Sequence, residues 1–531
     1  MRFTDISLAV LAAAHPATST PLQWAKRQFG GFPGFGGGGA GAVSGEITVD
    51  LTKTYQKMDG FGFSLAFQRA NLITNNPSEK NRDELMDLLF STEKGAGFSI
   101  LRNGIGSSLS SESDWMNTFA PDNPGSPTAE PTYKWDGKDS GQLWVAKTAV
   151  EKYGLKYVYG NAWSPPFYMK TNNNENNGGN LKTEWYQAFA NYLVQYVKFY
   201  AEAGVNITHL GPMNEPDFSA SYASALWNGN QAAEFIKVLQ PTIEREGLAS
   251  QVGIACCETG GFSQAGAMVN AIKGAGQESS LKAVTTHTYL SAANGQINTV
   301  APVWFSEQCD LNGQWSTAWT GGGAGAGLTW ANNIMDAIMN HNAGGYLYWE
   351  GVQWPNPNTN EKIIRVDQQT GNYEVATRLW AFANWSRFVR PNAVRVGTSG
   401  GSGVRVAAFK NEDGSVAVVL ISQGGAGDIT VKVSGDGAPT GKATAWASDN
   451  ERKCAEVEVT VADGAVTAAV GQSSITTIHI AAAEAEAEAP AAEVPAEPAT
   501  PADPAEPAES ATPSAPAEPA ESATPSTPAE P

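Results

Sequence analysis

The sequence predicts an α/β protein, a (β/α)8 barrel carrying an antiparallel β-sandwich. Between residues 57 and 389, eight short apolar segments alternate with amphipathic segments, a pattern typical of a parallel sheet flanked by helices. Eight such strands in about 330 residues fit one closed barrel. After Pro391, segments rich in Val, Ala and Thr alternate apolar with polar residues between turn sequences, which favours a sandwich.

The barrel elements follow one another in regular order. The eight predicted strands are Lys57–Phe63, Phe98–Ile105, Lys156–Ala162, Thr208–Met213, Gln251–Cys256, Ala283–Thr288, Pro302–Ser306 and Gly345–Trp349. Predicted helices lie between or after them at Ser78–Phe90, Gln142–Tyr153, Glu184–Ala203, Gln231–Glu246, Gln264–Lys273, Leu328–His341 and Tyr373–Phe388. Only the connection from the sixth strand to the seventh lacks a clear helical pattern.

The remaining segments complete a domain plan. Sandwich strands are predicted at Val394–Val396, Val404–Lys410, Ser415–Ser422, Ile429–Val433, Ala443–Ser448, Val457–Ala462 and Ser474–Ile480. Glu46–Leu51 is also strand-like, and we expect it to join the sandwich. The plan is a signal peptide (1–20), a pro-segment and Gly-rich leader (21–45), a sandwich strand (46–55), the barrel (56–390), the sandwich (391–480) and a disordered tail (481–531).

Composition narrows the class of protein. The formal net charge of −19 argues against nucleic acid or an anionic membrane as partner, because both attract a basic face. Eleven acidic and no basic residues lie from 481 onward, in a Pro/Ala/Glu/Ser/Thr tail that cannot bury a core. The 16 Trp are many, and exposed Trp faces often stack on sugars, although most Trp pack in cores.

The N-terminus predicts secretion. The apolar run from Ile6 to Ala14 is too short to span a bilayer and has the form of a signal peptide, with small residues from Ala17 to Thr20 as a cleavage site. Lys26-Arg27 resembles a dibasic processing site. We therefore expect an extracellular protein, monomeric and without a membrane span.

Secretion permits disulfides and glycans. The cysteines are Cys256, Cys257, Cys309 and Cys454; their spacing fits no zinc pattern, and adjacent Cys256 and Cys257 are expected not to pair with each other. Asn206-Ile207-Thr208 and Asn384-Trp385-Ser386 have the form of glycosylation acceptors.

Barrel enzymes place their chemistry at the carboxyl ends of the strands. Four carboxylates occur there: Glu215, Glu258, Glu307 and Glu350. The fourth and seventh strands face each other across a barrel mouth, so Glu215 and Glu307 can flank one bond. Hydrolysis of a glycosidic bond needs such a pair, one carboxyl to protonate the leaving oxygen and one to attack or to activate water. Glu258 and Glu350 are interpreted as structural residues or as groups that orient the pair or contact the sugar.

Several motifs strengthen this interpretation by resemblance. Asn214-Glu215-Pro216 with Glu307 resembles the retaining glycosidases of clan A. Asp59-Gly60-Phe61-Gly62, Asn161-Ala162-Trp163-Ser164-Pro165-Pro166 and the attached sandwich resemble glycoside hydrolase family 30. The segment from Ser64 to Ala70 resembles the fungal xylanase branch, subfamily 7, apart from Leu65, which replaces a usually acidic residue. The resemblance extends from Glu46 to Ile480.

The resemblance implies roles for the two carboxylates. Glu215 is implied as acid/base and Glu307 as nucleophile of a double displacement, with carboxyl groups about 5–5.5 Å apart. Asn214 is expected to hold the 2-hydroxyl of the reacting sugar, and Tyr289 to donate to Glu307. No metal or other cofactor is implied, because two carboxylates suffice.

The substrate contacts carry structural alternatives. Trp163 and Trp349 are expected to form the floor under the sugar, although strand-end Trp also packs against helices. Arg102 is expected to hold one of the catalytic carboxylates, and His287 either contacts substrate or is a core histidine. In the resembling branch, an arginine at the position of Arg69 engages the 4-O-methylglucuronate branch of xylan; a guanidinium suits a carboxylate, but it also forms structural ion pairs.

The sequence therefore favours a secreted endo-β-1,4-xylanase acting on glucuronoxylan. Three alternatives stay open: an exo-acting enzyme that releases xylobiose because the 107–139 loop blocks distant subsites, a β-1,6-glucanase or β-1,6-galactanase of the same family, and a non-catalytic carbohydrate-binding wall protein.

Overall fold

The computed structural model describes residues 41–110, 112, 115–355 and 359–482. The predicted signal peptide, almost all of the pro-segment and leader, and nearly all of the acidic tail lie outside these residues. Within them, no helix combines the length and the apolar composition that a membrane span requires.

The first strand, β1 (Ser44–Lys57), leads into a closed parallel barrel in which all eight predicted strands form. Strand β10 pairs with both the first and the seventh barrel strands, which closes the barrel. In chain order the strands are β2 (Gly60–Ser64), β3 (Ile100–Ile105), β4 (Tyr157–Ala162), β5 (His209–Gly211), β6 (Gly253–Thr259), β7 (Leu281–His287), β8 (Val303–Gln308) and, after the short strand β9 (Asp310–Gln314), β10 (Ala343–Gln353).

Helices surround the barrel. They are α1 (Asn71–Thr74), α2 (Glu79–Phe90), α3 (Gln142–Tyr153), α4 (Tyr186–Glu202), α5 (Gly229–Arg245), α6 (Phe262–Gly274), α7 (Gly327–His341) and α8 (Arg378–Ser386). Helix α5 begins with a capping box, in which Asn228 and Gln231 each bond the other's backbone N–H. Residues 288–302, all described, contain no helix, which confirms the predicted gap between the sixth and seventh strands.

The last predicted helix begins later than expected. Three short strands follow β10: β11 (Thr359–Asn360) pairs with β9, and β12 (Lys362–Val366) pairs with β13 (Tyr373–Val375). The predicted helix Tyr373–Phe388 was therefore wrong over its first residues. Because β12 lies parallel to β10, it offers a free edge on which β13 pairs, and this tertiary pairing overrides the helical pattern.

Side chains from six strands fill the centre of the barrel. The buried layer consists of Ile100, Tyr159, Ala255, Ala283, Trp304 and Leu347. Their strands point alternate residues inward, so large and small side chains interlock as a packed core rather than a pore. The functional side chains lie above this layer, where the strands end.

The sandwich contains β1 and nine later strands: β14 (Val394–Ser402), β15 (Val404–Lys410), β16 (Val416–Ser422), β17 (Gly427–Ser434), β18 (Ala443–Ser448), β19 (Ala455–Val457), β20 (Val459–Ala462), β21 (Ala465–Val470) and β22 (Ile475–Ile480). As predicted, the N-terminal strand joins it, antiparallel to β14; its pairing with β17 is parallel. The predicted strand Val457–Ala462 is wrong in part, because the chain breaks at Glu458, and β21 was not predicted.

The barrel and the sandwich are joined by packing and by hydrogen bonds. Trp319 donates to the carbonyl of Ser473 at 2.6 Å, and Thr477 donates to the carbonyl of Asn384 at 2.6 Å. Asn384 is fully buried and its amide donates to Trp380 and Ser448, so the folded protein offers no glycan acceptor there. Asn206 is exposed.

The expectation that Cys256 and Cys257 do not pair was wrong. The two residues form a disulfide in β6, with a cis peptide between them and Cα atoms 3.0 Å apart. With this cis peptide the two side chains lie on the same side of the chain, whereas successive side chains of an ordinary strand point to opposite faces. Cys309 and Cys454 are free thiols.

Candidate active site

Charged side chains from five barrel strands or their ends converge in one buried cluster. They are Arg102 (β3), Glu215 (after β5), Glu258 (β6), His287 (β7) and Glu307 (β8). Each is at most 6% exposed. Because charged groups are buried only when they are paired, the cluster must satisfy itself internally.

Two of the carboxylates sit on left-handed backbone. Glu215 has φ 42° and Glu258 has φ 51°, a conformation that side-chain-bearing residues seldom adopt. Neighbouring strands hold both turns: the Glu215 N–H donates to the Glu258 carbonyl at 2.7 Å, and the Glu258 N–H donates to Thr285 Oγ1 at 3.0 Å. Such locally strained residues occur disproportionately at functional sites.

Arg102 lies at the centre of the cluster. Its Nη1 donates to Glu307 Oε2 at 2.6 Å, and its Nη2 donates to Glu258 Oε2 at 2.5 Å and to Asn214 Oδ1 at 2.6 Å. The planar guanidinium thus orients Glu307 and links it to Glu258 on β6 and to Asn214 after β5. The Asn214 amide nitrogen has no acceptor among the described residues, so it faces the mouth with donors to offer.

His287 links the carboxylates from the other side. Its Nε2 lies 2.8 Å from Glu258 Oε2 and 3.6 Å from Glu307 Oε2, and its Nδ1 lies 3.3 Å from Glu215 Oε1. Tyr222 donates to the second oxygen of Glu215 at 3.2 Å. His287 is therefore bound to the catalytic candidates themselves, rather than buried in the apolar core.

Glu215 and Glu307 lie close enough to act on one bond. One carboxylate oxygen of each, with a ring nitrogen of His287, fall within 4.8 Å of one another. Retaining glycosidases hold their carboxyl groups about 5–5.5 Å apart, whereas inverting enzymes need roughly 6.5–9.5 Å. The geometry favours the retaining arrangement.

Burial and charge shift the pKa values in opposite directions. Burial opposes ionisation of Glu258, yet the charge of Arg102 and the hydrogen bond from His287 lower its pKa to about 2. Burial also disfavours the charged form of His287, but Glu307, Glu215 and Glu258 raise its pKa to about 10. Burial raises the pKa of Glu307, and the charges of His287 and Arg102 oppose that shift.

Aromatic rings pack together beside the Arg102 cluster. Trp163 and Trp349 lie 5.8 Å apart between ring centroids, and the Arg102 guanidinium sits 4.5 Å from the first and 5.8 Å from the second. Phe67 contacts Trp163, Trp349 and Tyr222 edge-on, at 5.6–6.0 Å. The predicted floor residues are thus packed together at the strand ends.

Arg69 lies in a second buried cluster. Its Nε donates to Glu350 Oε1 at 2.8 Å and its Nη1 to the carbonyl of Phe67 at 2.8 Å, and its guanidinium stacks 4.0 Å from the Trp354 ring. Only 4% of Arg69 is exposed. The structure therefore places the arginine beside the mouth with Glu350 as an ion-pair partner.

Tyr289 is buried near Glu307, and its hydroxyl lies 3.2 Å from the Cys309 thiol. Burial raises the pKa of Tyr289, with Cys309 and Glu307 adding to the shift. The functional contacts that the sequence did not predict are those of Tyr222 with Glu215 and of Tyr159 with Glu258, the latter at 3.0 Å. Tyr222 lies in a loop without a motif, so no sequence signal pointed to it.

The oxygens and nitrogen of Glu215, His287 and Glu307 are also a donor set that a metal ion can accept. Arg102 already places a full positive charge 2.6 Å from Glu307, which disfavours a second cation there. The arrangement suits acid–base and nucleophilic chemistry by the carboxylates themselves.

A barrel whose mouth holds paired buried carboxylates beside tryptophan rings defines a glycoside hydrolase. The family model for O-glycosyl hydrolase family 30 matches residues 44–277, and that for the family 30 β-sandwich domain matches residues 392–478. The chain belongs to glycoside hydrolase family 30.

Similar proteins of this family act on different polysaccharides. The catalytic domain of xylanase C from Talaromyces cellulolyticus is 40% identical over 82% of this chain and all of that chain, with a TM-score of 0.75. An endo-1,6-β-D-glucanase of Aspergillus fumigatus is 27% identical over 77% of this chain and 89% of its own length. Another, from Trichoderma harzianum, is 25% identical over 82% and 94%.

Proposed function

We propose that this glycoside hydrolase is a secreted xylanase that cleaves β-1,4-xylosidic bonds by double displacement. The observation that carries the mechanism is the Glu215–Glu307 pair, whose nearest oxygens lie within 4.8 Å at the barrel mouth. The substrate class is supported by the 40% identity to the Talaromyces xylanase, against 27% and 25% to the glucanases.

The charges of the cluster indicate which carboxyl carries the proton. Arg102 and His287 supply two positive charges, and Glu258 and Glu307 supply two negative charges. The cluster is then neutral only when Glu215 is protonated, which suits a general acid. Glu307, held by Arg102 through Oε2, keeps Oε1 to attack the sugar.

In the first step, Glu307 Oε1 bonds to the anomeric carbon while the bond to the leaving oxygen breaks, and Glu215 gives its proton to that oxygen. Esterification removes the negative charge of Glu307, which favours ionised Glu215. In the second step, Glu215 takes a proton from water, the hydroxide adds to the anomeric carbon and the ester bond breaks. Both carboxyl groups return to their starting states, with retention at the anomeric carbon.

Asn214 and the tryptophans supply the binding contacts. The unpaired amide nitrogen of Asn214 suits the 2-hydroxyl of the reacting sugar, a contact that strengthens in the transition state. Trp163 and Trp349 offer apolar faces beneath the ring. Phe67 packs edge-on against both tryptophans and helps to fix their positions.

Glucuronate branches are expected to matter only modestly. A branch carboxylate would have to compete with Glu350 for Arg69, and that pair is already formed at 2.8 Å in a buried setting. We therefore expect the enzyme to cut glucuronoxylan and less-branched xylan with rates that differ by about threefold or less.

The closest rival is a β-1,6-glucanase with the same machinery, because the two curated relatives above carry that activity. Product analysis separates the two. We would incubate the purified protein with glucuronoxylan, arabinoxylan and β-1,6-glucan, identify products by mass spectrometry and follow the first-formed anomer by NMR, with Glu307→Ala as control. β-Anomeric xylo-oligosaccharides from the unmodified protein alone support the proposal. Cleavage of β-1,6-glucan alone refutes the substrate, and the initial formation of the α-anomer refutes the retaining mechanism.

The same digest distinguishes product patterns. Xylobiose as the dominant early product would indicate the exo-acting alternative, whereas a ladder of longer products indicates an endo-acting enzyme. The second half of the 107–139 loop does not settle this, since it packs on the outside of α4: Phe119 stacks on Tyr192 at 4.1 Å and Trp135 stacks on Phe199 at 4.8 Å.

A further inference from the structure

A cavity of about 280 Å³ lies outside the catalytic mouth, between this packed half-loop and helix α4. The volume is close to the lower limit for small-molecule sites, roughly 300 Å³. Its lining combines aromatic rings and prolines with amides and carboxylates. None of the residues of the Arg102 or Arg69 clusters contributes to it.

The aromatic groups form its base. Tyr168 and Trp185 are 3% and 6% exposed and meet edge-on, with ring centroids 5.3 Å apart. Tyr133 forms part of another wall and packs against Phe119 at 5.5 Å. Rigid aromatic faces beside polar groups are the surfaces on which apolar sugar faces stack.

Two donors in this lining have no protein acceptor. The Tyr133 hydroxyl and the Trp185 indole N–H make no hydrogen bond within the described part of the chain, although both side chains are at least partly buried. Burial raises the pKa of Tyr133 to about 12, so its hydroxyl keeps its proton at all ordinary pH values. Partly buried donors without partners indicate a site where a ligand, or water in its absence, accepts the bonds.

The charged residues that line the cavity indicate which class of ligand it can bind. Glu130 and Glu184 line the cavity and are exposed, and the lining contains no Lys, Arg or His. Two carboxylates without a cation repel anionic ligands, including acidic branched sugars and the acidic tail of this chain. They can accept hydrogen bonds from sugar hydroxyls, as can the amide oxygen of Gln187, whereas the amide oxygen of Asn191 already accepts from Gln187 and Arg245.

We propose that this cavity is a second carbohydrate site, which binds neutral pyranose units of the polysaccharide outside the catalytic mouth. The choice of xylose units rests on the proposed function. The site adds a second contact to a long chain and none to a substrate short enough to occupy only the mouth. It therefore strengthens action on insoluble polymer by raising the effective concentration of substrate at the enzyme.

The test compares binding with short-substrate activity. Tyr133→Phe with Trp185→Phe removes both donors, while Ala188→Tyr fills the cavity and leaves the donors in place. Trp144→Phe, at an exposed tryptophan on α3 outside the cavity, is the matched control. Binding to insoluble xylan is measured in the Glu307→Gln background, so that the polymer stays intact, and turnover of soluble xylohexaose is measured with Glu307 present.

We expect both cavity variants to weaken binding to insoluble xylan by three- to tenfold, with xylohexaose turnover unchanged and the Trp144→Phe protein unaffected. Thermal unfolding identifies any variant that has lost its fold. If the double variant Tyr133→Phe with Trp185→Phe does not fold, Ala188→Tyr alone tests the proposal. Unchanged xylan binding by a folded Ala188→Tyr protein overturns the second site. Failure of the unmodified protein to cut xylohexaose is a separate result that overturns the proposed substrate, since cavity binding does not depend on it.

Discussion

The barrel mouth contains two buried arginines that differ in their hydrogen-bond partners. Arg102 is shared among Glu307, Glu258 and Asn214, and three carboxylates crowd around one arginine and one histidine. Arg69 is bound to Glu350 and to the carbonyl of Phe67, and it stacks on Trp354. The charged side chains of both clusters are buried near the mouth of the barrel.

The difference is one of charge balance. Around Arg102 the carboxylates outnumber the cations, so one proton must be held and can be moved. Around Arg69, the buried Lys362 and Glu361 add one charge of each sign, so the cations are not outnumbered there, although burial raises the pKa of Glu350 to about 8 against the charge of Arg69. We infer that a surplus of buried carboxylates over buried cations marks the catalytic cluster.

The largest expected effect follows from removing either catalytic carboxyl of the first cluster. We expect Glu307→Gln and Glu215→Gln each to lower kcat on xylan on the order of 10⁴-fold or more, because residues that act as one unit lose nearly all catalysis together. Steady-state release of reducing ends from xylan measures the loss, and thermal unfolding confirms the fold.

Glu350→Gln is the matched control in the second cluster. It is as buried as the catalytic carboxylates, and its amide oxygen still accepts from Arg69. We expect a change in kcat below about threefold. A loss comparable to that of Glu307→Gln would show that the two clusters do not differ in function.

The next effect comes from Arg102. Arg102→Lys keeps the charge but cannot reach Glu307, Glu258 and Asn214 together, since an ammonium lacks the planar fork. We expect kcat to fall by roughly 10²–10³-fold and the free energy of unfolding by about 3 kcal/mol, because the carboxylates remain buried with poorer pairing. Denaturant unfolding and kinetics on the same preparation measure the two losses. Full activity of the Arg102→Lys protein would contradict the role of Arg102 in positioning Glu307.

Arg69→Met tests whether Arg69 has a structural role in the second cluster. Glu350 would then be buried without its partner, and we expect the free energy of unfolding to fall by about 3 kcal/mol. Because Arg69 is committed to Glu350, the ratio of kcat/KM on glucuronoxylan to that on unbranched xylan should change by less than about threefold. A double variant, Arg69→Met with Glu350→Met, should recover stability.

The ratio of rates decides the role of Arg69. A fall of tenfold or more in the glucuronoxylan ratio of the Arg69→Met protein would show that the arginine leaves Glu350 to bind the branch. The double variant then has the same low ratio, although its stability is restored.

Much of the fold was predictable because it depends on local patterns. All eight barrel strands, the missing sixth helix and the N-terminal sandwich strand follow from apolar runs and their spacing. Strand β13 and the break at Glu458 were missed because they depend on pairing with distant segments, which no local pattern reports.

The sequence predicted which residues form the site better than it predicted the contacts between them. Glu215 and Glu307 follow from strand ends and motifs, and Arg102 was expected to hold one of them; that it is Glu307, 205 residues away, depends on barrel closure. The Arg69–Glu350 pair and the Cys256–Cys257 disulfide were likewise invisible, the first because it joins the two ends of the barrel and the second because adjacent residues seldom point the same way.

A carboxyl outside both clusters, Asp139, gives the smallest expected effect; it is partly buried, and no cation contacts it among the described residues. Asp139 accepts from Tyr196 at 2.9 Å, Tyr200 at 2.6 Å and Gln142 at 2.9 Å. Burial raises its pKa to about 6, because no positive charge offsets the loss of water. The native state therefore holds a proton that the unfolded chain releases near pH 3.8, so stability falls as the pH rises from about 4 through 6.

Asp139→Asn removes this titration and keeps an acceptor for both tyrosines. A shift of about two pKa units corresponds to about 2–3 kcal/mol, so the loss of unfolding free energy between pH 4 and pH 7 should be smaller by that amount in the variant. Denaturant unfolding at the two pH values measures it. Glu258 and His287 also change the stability within this interval, because in the unfolded chain they titrate near 4.5 and 6.5, but their contributions are the same in both proteins and cancel in the difference. Equal losses in both proteins would mean that Asp139 ionises as readily in the native state as in the unfolded chain. In that case, the hydrogen bonds from two tyrosines and a glutamine would stabilise the carboxylate as well as an arginine does.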